Sequence, residues 1–375
     1  MASEVLGEDR SYWVYLPPSY DSDTTTPKSY PVMYLLDGDA HFHSASGVIT
    51  HMSTGINGNN QIPELIVIAI PNTNRTRDLT PTHSSIGFDG EETEFLDESG
   101  GGDAFLQFIR DELFPNIDST YRTTKHRTLV GHSFGGLLAL HALLTVPDMF
   151  ESYIAIDPSL WWEDRLLVRQ AENIFANEHN RNASVYISLA NNSDAETGER
   201  SAMELSGREF GKILASAVSP DIRFSLQYFE TENHGSVPLV SLYYGLLSIF
   251  DGYEYSVADF IANPSIPDVI AHFDSISKRL GIDPRPPEGS INTLGYVLLY
   301  QIVDVDNAVE MFELNVLNYP DSWNVYDSLG EAYMVRGDKE LAIENYERSV
   351  ELNPDNENGV TQLEILNGEE EVPQQ

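Results

Sequence analysis

One serine in this sequence carries the clearest chemical signature. Ser133 lies in the run Gly-His-Ser-Phe-Gly, which follows a short predicted strand, 128–130, and precedes an apolar helical segment. A tight strand-to-helix turn strains the backbone at its serine, and Gly131 and Gly135 remove the side-chain clashes that the turn would otherwise produce. The helix that follows directs unpaired N–H groups toward developing negative charge, so the N–H of Phe134 is a predicted oxyanion donor. The pattern predicts a serine nucleophile, and the alternative is a plain glycine-rich turn.

A serine at neutral pH needs a base, and the predicted base is His234. This histidine lies in the loop after the last predicted strand, 223–228, as the chain order serine, acid, histidine requires. The alternative is a surface histidine. His132, inside the glycine-rich run, is expected to be structural, with its side chain pointing away from substrate. His41, His43, His51 and His83 lack metal-ligand spacing, so no metal is predicted.

The acid that would orient His234 is left open among several carboxylates. The loop after the predicted strand 184–190 carries Asp194, Glu196 and Glu199, and Asp194 is favoured because it is nearest the strand end. Asp157, at the end of the preceding predicted strand, 152–156, is the remaining candidate. The second oxyanion donor is predicted at the backbone N–H of Asp39, after the strand 30–36, the alternative being an ordinary Asp-Gly turn.

Alternating strand-like and helical patterns from residue 10 to about 250 predict an α/β fold, a mostly parallel central sheet with helices on both faces. The acidic stretch 87–102 is expected to form a loop near the substrate entrance. After residue 250 the pattern becomes helical, and Ala308, Phe312 and Pro320 recur 34 residues later as Ala342, Tyr346 and Pro354. That period is typical of tetratricopeptide-like helix pairs. The predicted domains are a hydrolase domain at 1–252, a helical segment and Pro-rich linker at 253–290, tetratricopeptide-like repeats at 291–367 and a tail at 368–375.

The charge of the chain excludes some partners. Fifty-nine Asp and Glu against 21 Lys and Arg give a net charge of −38, which disfavours binding to nucleic acid or anionic lipid. Only five of the basic residues are lysine, so adaptation to high salt is one hypothesis and an ordinary acidic enzyme the other. With no cysteine, thiolate chemistry is excluded. No membrane span is predicted. The N-terminus has no signal-peptide pattern, so cytoplasm and periplasm both stay open.

The two repeats are too few for independent stability and are expected to dock on the catalytic domain or on a second subunit, as in a homodimer.

Five motifs together resemble the putative esterase family of α/β-hydrolases, which includes enterochelin and other siderophore esterases. In this sequence they are 35–39, 74–81, 131–136, 157–162 and 233–238, and the resemblance covers about residues 8–250. It implies a carboxylic-ester hydrolase without metal or cofactor, with Ser133 as nucleophile, His234 as base, and Asp39 and Phe134 at the oxyanion positions. The family's Gly-x-x-Glu pattern is absent at 190–193, which leaves the acid open, including a Ser-His dyad. The repeat also resembles extensions on some bacterial members.

Four further residues are candidates for contacting a small-molecule ester. The resemblance implies that Arg75 or Arg77 contacts an anionic or catecholate group, and the alternative is an ion pair with a carboxylate such as Asp78. Trp161 and Trp162 are predicted to line the pocket, with packing in the core as the alternative. Acyl transfer and thioester hydrolysis would use the same residues, and a degenerate scaffold that binds partners through its repeats is the alternative of another class.

Overall fold

The computed structural model describes residues 1–21, 28–54, 59–177, 182–194, 197–216, 222–283 and 285–368. The chain forms two compact units. The first comprises Met1–Pro17, Ser29–His51 and Ile62–Asp251, and the second comprises Pro18–Lys28, Met52–Gln61 and Gly252–Gln375.

A seven-stranded sheet organises the first unit. The strands of this unit are Ala2–Ser3 (β1), Glu8–Asp9 (β2), Trp13–Tyr15 (β3), Tyr30–Leu36 (β4), Ile66–Ile70 (β5), Thr123–His132 (β6), Ser152–Ile156 (β7), Ala183–Ala190 (β8) and Ile222–Phe229 (β9). The strand order in the sheet is β3-β5-β4-β6-β7-β8-β9. Edge strand β3 is antiparallel to β5 and all other neighbours are parallel. All seven residues of β4 are buried, as expected of a parallel strand covered on both faces. A separate antiparallel pair joins β1 to β2.

Helices alternate with these strands. Two of them, Gly102–Phe108 (α3) and Phe114–Thr120 (α4), are joined by a π-helical turn at Ile109–Leu113. In the first unit the helices are Gly38–Ser53 (α1), Arg75–Leu79 (α2), Gly102–Phe108 (α3), Phe114–Thr120 (α4), Phe134–Thr145 (α5), Trp162–Asn177 (α6), Ala202–Ser216 (α7) and Val237–Ile249 (α8).

Helices cover both faces of the sheet. Gly245 of α8 closely approaches Tyr186 of β8, whereas Gly207 of α7 closely approaches Leu189 of the same strand. Because successive strand residues point to opposite faces, Tyr186 and Leu189 lie on opposite sides of the sheet. The predicted α/β class, with its mostly parallel sheet, is confirmed.

The parallel register brings several strand ends to one edge of the sheet. His132, the last residue of β6, pairs with Ile156, the last residue of β7. The residues directly after β4, β6 and β7 are Asp37, Ser133 and Asp157, and they have positive φ angles of 53°, 59° and 39°. Non-glycine residues rarely adopt such angles, and they concentrate at functional sites where the surrounding structure holds them.

The described part of the second unit is helical after Gly252. Its helices are Val257–Ala262 (α9), Ile266–Leu280 (α10), Glu288–Tyr296 (α11), Val305–Asn318 (α12), Trp323–Arg336 (α13), Lys339–Leu352 (α14) and Glu357–Gly368 (α15), with a π-helical segment at Val297–Ile302. The predicted all-helical C-terminal part of the fold class is therefore confirmed. The assignment of its helices to tetratricopeptide-like repeats stays a prediction.

One hydrophobic core runs through this helical unit. It includes Phe260 and Phe273 from the predicted helical segment, together with Leu294, Phe312 and Tyr346. Helices α9 and α10 thus contribute side chains to the same core as the later helices, and the predicted domain boundaries stay a prediction. Of the predicted tail, 368–375, Gly368 is the last residue of α15, and the rest lies outside the described residues.

No helix in the described ranges combines the length and the apolar character needed to cross a membrane.

Candidate active site

The glycine-rich run forms the expected elbow between β6 and α5. Ser133 has φ 59° and ψ −114° and precedes Phe134, the first residue of α5. The turn is so tight that a Cβ on Gly131 would lie 2.2 Å from the backbone carbonyl carbon of Gly135. The two glycines are therefore required sterically, and they hold the serine side chain clear of the backbone.

A second serine contacts the first. The Ser133 Oγ lies 3.2 Å from the Oγ of Ser159, and the Ser159 N–H donates to the Ser133 carbonyl oxygen at 3.1 Å. Ser159 is 2% exposed. In this structure the Ser133 hydroxyl is thus held by Ser159 and makes no hydrogen bond to His234. Hydrogen bonds between catalytic groups are often formed only when substrate binds.

His234 is oriented by a fully buried carboxylate. Its Nδ1 lies 2.6 Å from the Oδ2 of Asp157, and Asp157 is 0% exposed. The same carboxylate accepts from the Ala190 N–H at 3.0 Å and from the Asn192 Nδ2 at 2.7 Å. Asn192 also accepts from the His234 N–H at 3.0 Å. Three donors satisfy a group that, when ionised, can only accept hydrogen bonds.

The favoured acid from the sequence, Asp194, is not the partner of His234. Its Oδ1 accepts instead from the N–H and Oγ1 of Thr197, at 2.7 and 3.0 Å. Glu199 is exposed, and Glu196 lies outside the described residues. The prediction of Asp194 was wrong because the loop after β8 presents the Asn192 amide at this point, while the end of β7 lies beside the end of β6. The usable signal was the position of Asp157 immediately after a buried strand.

His132 lies against the ring of His234. The centroids of these two rings are 4.4 Å apart, and the ring of His41 lies 5.9 Å from that of His132. Burial is the main cause that lowers the pKa of His132 to about 4, and the positive charges that His234 and His41 can carry contribute to this shift. The expectation that this side chain points away from the site was therefore wrong. It stays neutral beside the ring of His234 because protonation there is opposed by desolvation.

Two backbone N–H groups that the sequence predicts as oxyanion donors have no partner among the described residues. Phe134 is the first residue of α5 and Asp39 the second of α1, and neither N–H donates a hydrogen bond. Such groups are free because a helix begins with N–H groups that have no carbonyl one turn earlier. Gly38 allows the approach of α1 to β5, since a Cβ there would lie 2.8 Å from the Ile70 nitrogen.

Both candidate arginines are held by carboxylates. Arg75 forms a two-pronged ion pair with Asp37, at 2.7 Å from Nε to Oδ1 and 3.0 Å from Nη2 to Oδ2. Arg77 donates to Asp78 at 2.7 Å and to Glu8 at 2.6 and 3.2 Å. For Arg77, the ion-pair alternative describes the structure. The ion pair with Asp37 and a hydrogen bond to the carbonyl oxygen of His132 explain the position of Arg75 without any contact to substrate.

The two tryptophans occupy different environments. Trp162 is 1% exposed, packs edge-on against Phe134, and donates from Nε1 to the Thr82 Oγ1 at 3.0 Å. It therefore belongs to the core, contrary to the pocket-lining prediction. Trp161 is only partly buried, with its ring 6.2 Å from Phe134 and 5.4 Å from the exposed Phe88. Pocket lining stays a prediction for Trp161.

Within the described ranges, no three His, Cys, Asp or Glu side chains are grouped so that they could hold a metal ion.

Comparison with known proteins places this geometry in a family. A ferri-bacillibactin esterase of Bacillus subtilis is 32% identical over 238 residues, which cover 61% of this chain and 81% of that protein. The crystal structure of an IroE-like serine hydrolase from Shewanella oneidensis matches with a TM-score of 0.71 and 30% identity, over 84% of this chain and 97% of the other. An uncharacterised protein from Capnocytophaga ochracea matches over 98% of both chains with a TM-score of 0.61, and at 15% identity this shows a common fold alone.

The family description "putative esterase" matches residues 3–210, which is more than half of the chain. The Bacillus subtilis relative is named an esterase, and the Shewanella oneidensis structure is that of a serine hydrolase. The chain therefore belongs to the putative esterase family and is an enzyme of the serine hydrolase class.

Proposed function

We propose that this protein hydrolyses carboxylic esters through Ser133, His234 and Asp157, by way of an acyl-enzyme. The observation that carries the proposal is the 2.6 Å contact between His234 Nδ1 and the fully buried Asp157. With its Nδ1 proton held by the carboxylate, His234 keeps Nε2 free to accept a proton. The ring of His234 lies against His132, the residue next to Ser133 in the chain.

In the first step, Ser133 Oγ attacks the ester carbonyl carbon while His234 Nε2 accepts the hydroxyl proton. Asp157 stabilises the imidazolium ion that forms, and the negative charge moves onto the former carbonyl oxygen. The free N–H groups of Phe134 and Asp39 are the donors proposed for that oxygen. One such donor contributes about 2.7–4 kcal/mol of transition-state stabilisation in well-studied hydrolases.

In the second step, the C–O bond to the alcohol breaks as His234 returns the proton to the departing oxygen. Water then attacks the acyl-enzyme with His234 again accepting a proton, and collapse of the second tetrahedral species releases the acid and restores Ser133. The chain's own residues supply each proton transfer. The contact between Ser133 and Ser159 must break before the attack, because the Ser133 Oγ that makes this contact is also the attacking atom.

We further propose siderophore-type esters as the substrate class. The support is the naming of two relatives, the ferri-bacillibactin esterase and a triacetylfusarinine C esterase of Aspergillus fumigatus, which is 30% identical over 183 residues. The second relative is matched over 56% of its length. Both names describe hydrolysis of siderophore esters, and this chain shares their family.

The proposal is tested by steady-state hydrolysis of p-nitrophenyl acetate, followed by a ferric trilactone siderophore and an acyl thioester. Wild type is expected to hydrolyse both esters, and Ser133→Ala is expected to lose the activity. Ser119→Ala is the control, because that exposed hydroxyl donates only to the Asn116 carbonyl. Activity that survives in Ser133→Ala would contradict the nucleophile. Hydrolysis of the thioester but not the trilactone would contradict the substrate class.

A further inference from the structure

Arg75 contacts two segments of the site that are far apart in the sequence. Its Nε and Nη2 donate to both oxygens of Asp37, which directly follows β4. The same Nη2 donates to the carbonyl oxygen of His132 at 3.3 Å, at the end of β6. Its guanidinium carbon also lies 5.4 Å from the centre of the Phe134 ring. One side chain thus connects Asp37, the residue before α1, to the turn that contains Ser133.

Asn72 extends this set of contacts to Asp39. Its Nδ2 donates to the Oδ1 of Asp37 at 2.7 Å and to the Oδ1 of Asp39 at 3.1 Å. Its backbone N–H donates to the same Asp39 oxygen at 3.2 Å. We name Arg75, Asp37 and Asn72 together the Arg75 clamp.

The two N–H groups proposed for the oxyanion lie at the two ends of the Arg75 clamp. One belongs to Phe134, whose ring packs against the guanidinium, and the other to Asp39, whose carboxylate is held by Asn72. They come from helices that begin after different strands, so no single element sets the distance between them. An error of about 1 Å in such a position costs roughly 100-fold in rate.

We propose that Arg75 is a positioning residue that sets the two oxyanion donors relative to each other. The inference rests on the proposed function, because it assumes that these N–H groups hold the developing oxyanion. An arginine suits this role because its rigid planar fork bonds both oxygens of Asp37 and one backbone carbonyl at once. A lysine ammonium does not reproduce that geometry.

The test is the kinetics of Arg75→Lys on p-nitrophenyl acetate, a neutral ester that offers no anionic or catechol group to a guanidinium. We expect kcat to fall by roughly 10- to 100-fold with little change in KM, because each misplaced donor acts mainly on the transition state. The affinity for a neutral arylboronic acid, which forms a tetrahedral adduct on the serine, is expected to fall in parallel with kcat/KM.

Arg110→Lys is the matched control. Arg110 forms the same two-pronged ion pair, with Asp111, on an exposed part of the first unit. Its replacement is expected to leave both kinetic constants at wild-type values. Two further measurements distinguish a lost positioning contact from misfolding of Arg75→Lys. Asn72→Ala should also lower kcat. Millimolar guanidinium should restore part of the activity of Arg75→Ala.

Two results would overturn the inference while leaving the proposed function intact. One is an Arg75→Lys enzyme with wild-type kcat on the neutral ester and a loss confined to a ferric trilactone. The other is a rise in KM at unchanged kcat. Both would assign Arg75 to substrate contact. An inactive wild type, or an active Ser133→Ala, would instead contradict the proposed function itself.

Discussion

At the scale of single residues, Asp157 combines full burial with three hydrogen-bond donors. Its contacts to the Ala190 N–H and the Asn192 amide fix the carboxylate, so its remaining interaction is directed at His234 Nδ1. A carboxylate held in this way selects one tautomer of the imidazole and one orientation of its ring. The role proposed for Asp157 is therefore orientation of the base and stabilisation of its charged form.

We expect Asp157→Asn to lower kcat for ester hydrolysis by roughly 10³- to 10⁴-fold, since an amide in this place favours the wrong imidazole tautomer. Asp194→Asn should leave kcat close to wild type, because that carboxylate holds Thr197. Steady-state kinetics on one ester checks both variants. A larger loss in Asp194→Asn than in Asp157→Asn would contradict the assignment.

His132 provides a prediction about pH. Its pKa in the folded protein is about 4, lowered mainly by burial, whereas an exposed histidine in the unfolded chain titrates near 6.5. As the pH falls from about 6.5 to about 4, the unfolded state binds a proton that the folded state does not bind. The unfolding free energy should therefore decrease over this range, by at most about 1.4 kcal/mol per pH unit from this residue.

His132→Phe keeps a ring beside His234 and removes the titration. The difference in unfolding free energy between this variant and wild type should grow in favour of the variant as the pH drops from 6.5 to 4.5. Urea unfolding at a series of pH values measures it, with pH 8 as the reference where His132 is neutral in both states. A difference that is constant with pH would show that His132 titrates normally.

At the scale of elements, the elbow between β6 and α5 depends on Gly131. A methyl group there would overlap backbone atoms of Gly135, which cannot move without displacing the start of α5. We expect Gly131→Ala to destabilise the protein by several kcal/mol, which is the range typical of severe steric conflicts in cores. Chemical denaturation measures this loss.

Gly47→Ala is the control for that substitution. Gly47 lies within helix α1 and is exposed, and a methyl group added to it would have no atom within 4 Å. Alanine is favoured over glycine in a helix by up to about 1 kcal/mol, so this variant should be slightly more stable than wild type. Equal destabilisation by both substitutions would contradict the steric account of the elbow.

The sequence predicts some elements well and others poorly, for physical reasons. Strands β4 and β7 are continuous buried apolar runs, and their observed bounds, Tyr30–Leu36 and Ser152–Ile156, agree with the predicted ones. Strand β6 begins at Thr123, five residues before its predicted start, because its first half is polar and only partly buried. The elbow around Ser133 is formed by residues that are contiguous in the sequence, so the sequence alone predicts it.

The partner of His234 could not be read in the same way. It depends on the register of β6 and β7 and on the turn that lets Asn192 hydrogen-bond to both Asp157 and His234. The prediction favoured Asp194 because it lies nearest the strand end in a loop with three carboxylates, whereas Asp157 directly follows the fully buried strand β7. Likewise the pairing of Arg75 with Asp37 joins segments 38 residues apart, and no spacing in the sequence indicates it.

At the scale of the whole molecule, the dominant property is a net charge of −38. Mutual repulsion of surface carboxylates destabilises the folded state, and added salt screens it: the Debye length falls from about 10 Å at 0.1 M to about 3 Å at 1 M. If the chain is adapted to high salt, its urea unfolding midpoint should rise between 0.1 and 2 M NaCl. The rise should be steepest at the lower concentrations. A flat midpoint would contradict adaptation to salt.

The central claim is that Ser133 is the activated nucleophile, and labelling with a fluorophosphonate tests it without any assumption about substrate. The labelled protein is digested and the modified peptide is identified by mass spectrometry, for wild type, Ser133→Ala and Asp157→Asn. We predict modification of Ser133 in wild type, much slower modification in Asp157→Asn and none in Ser133→Ala. A label on Ser159, whose Oγ lies 3.2 Å away, or no label on folded wild type would contradict the account.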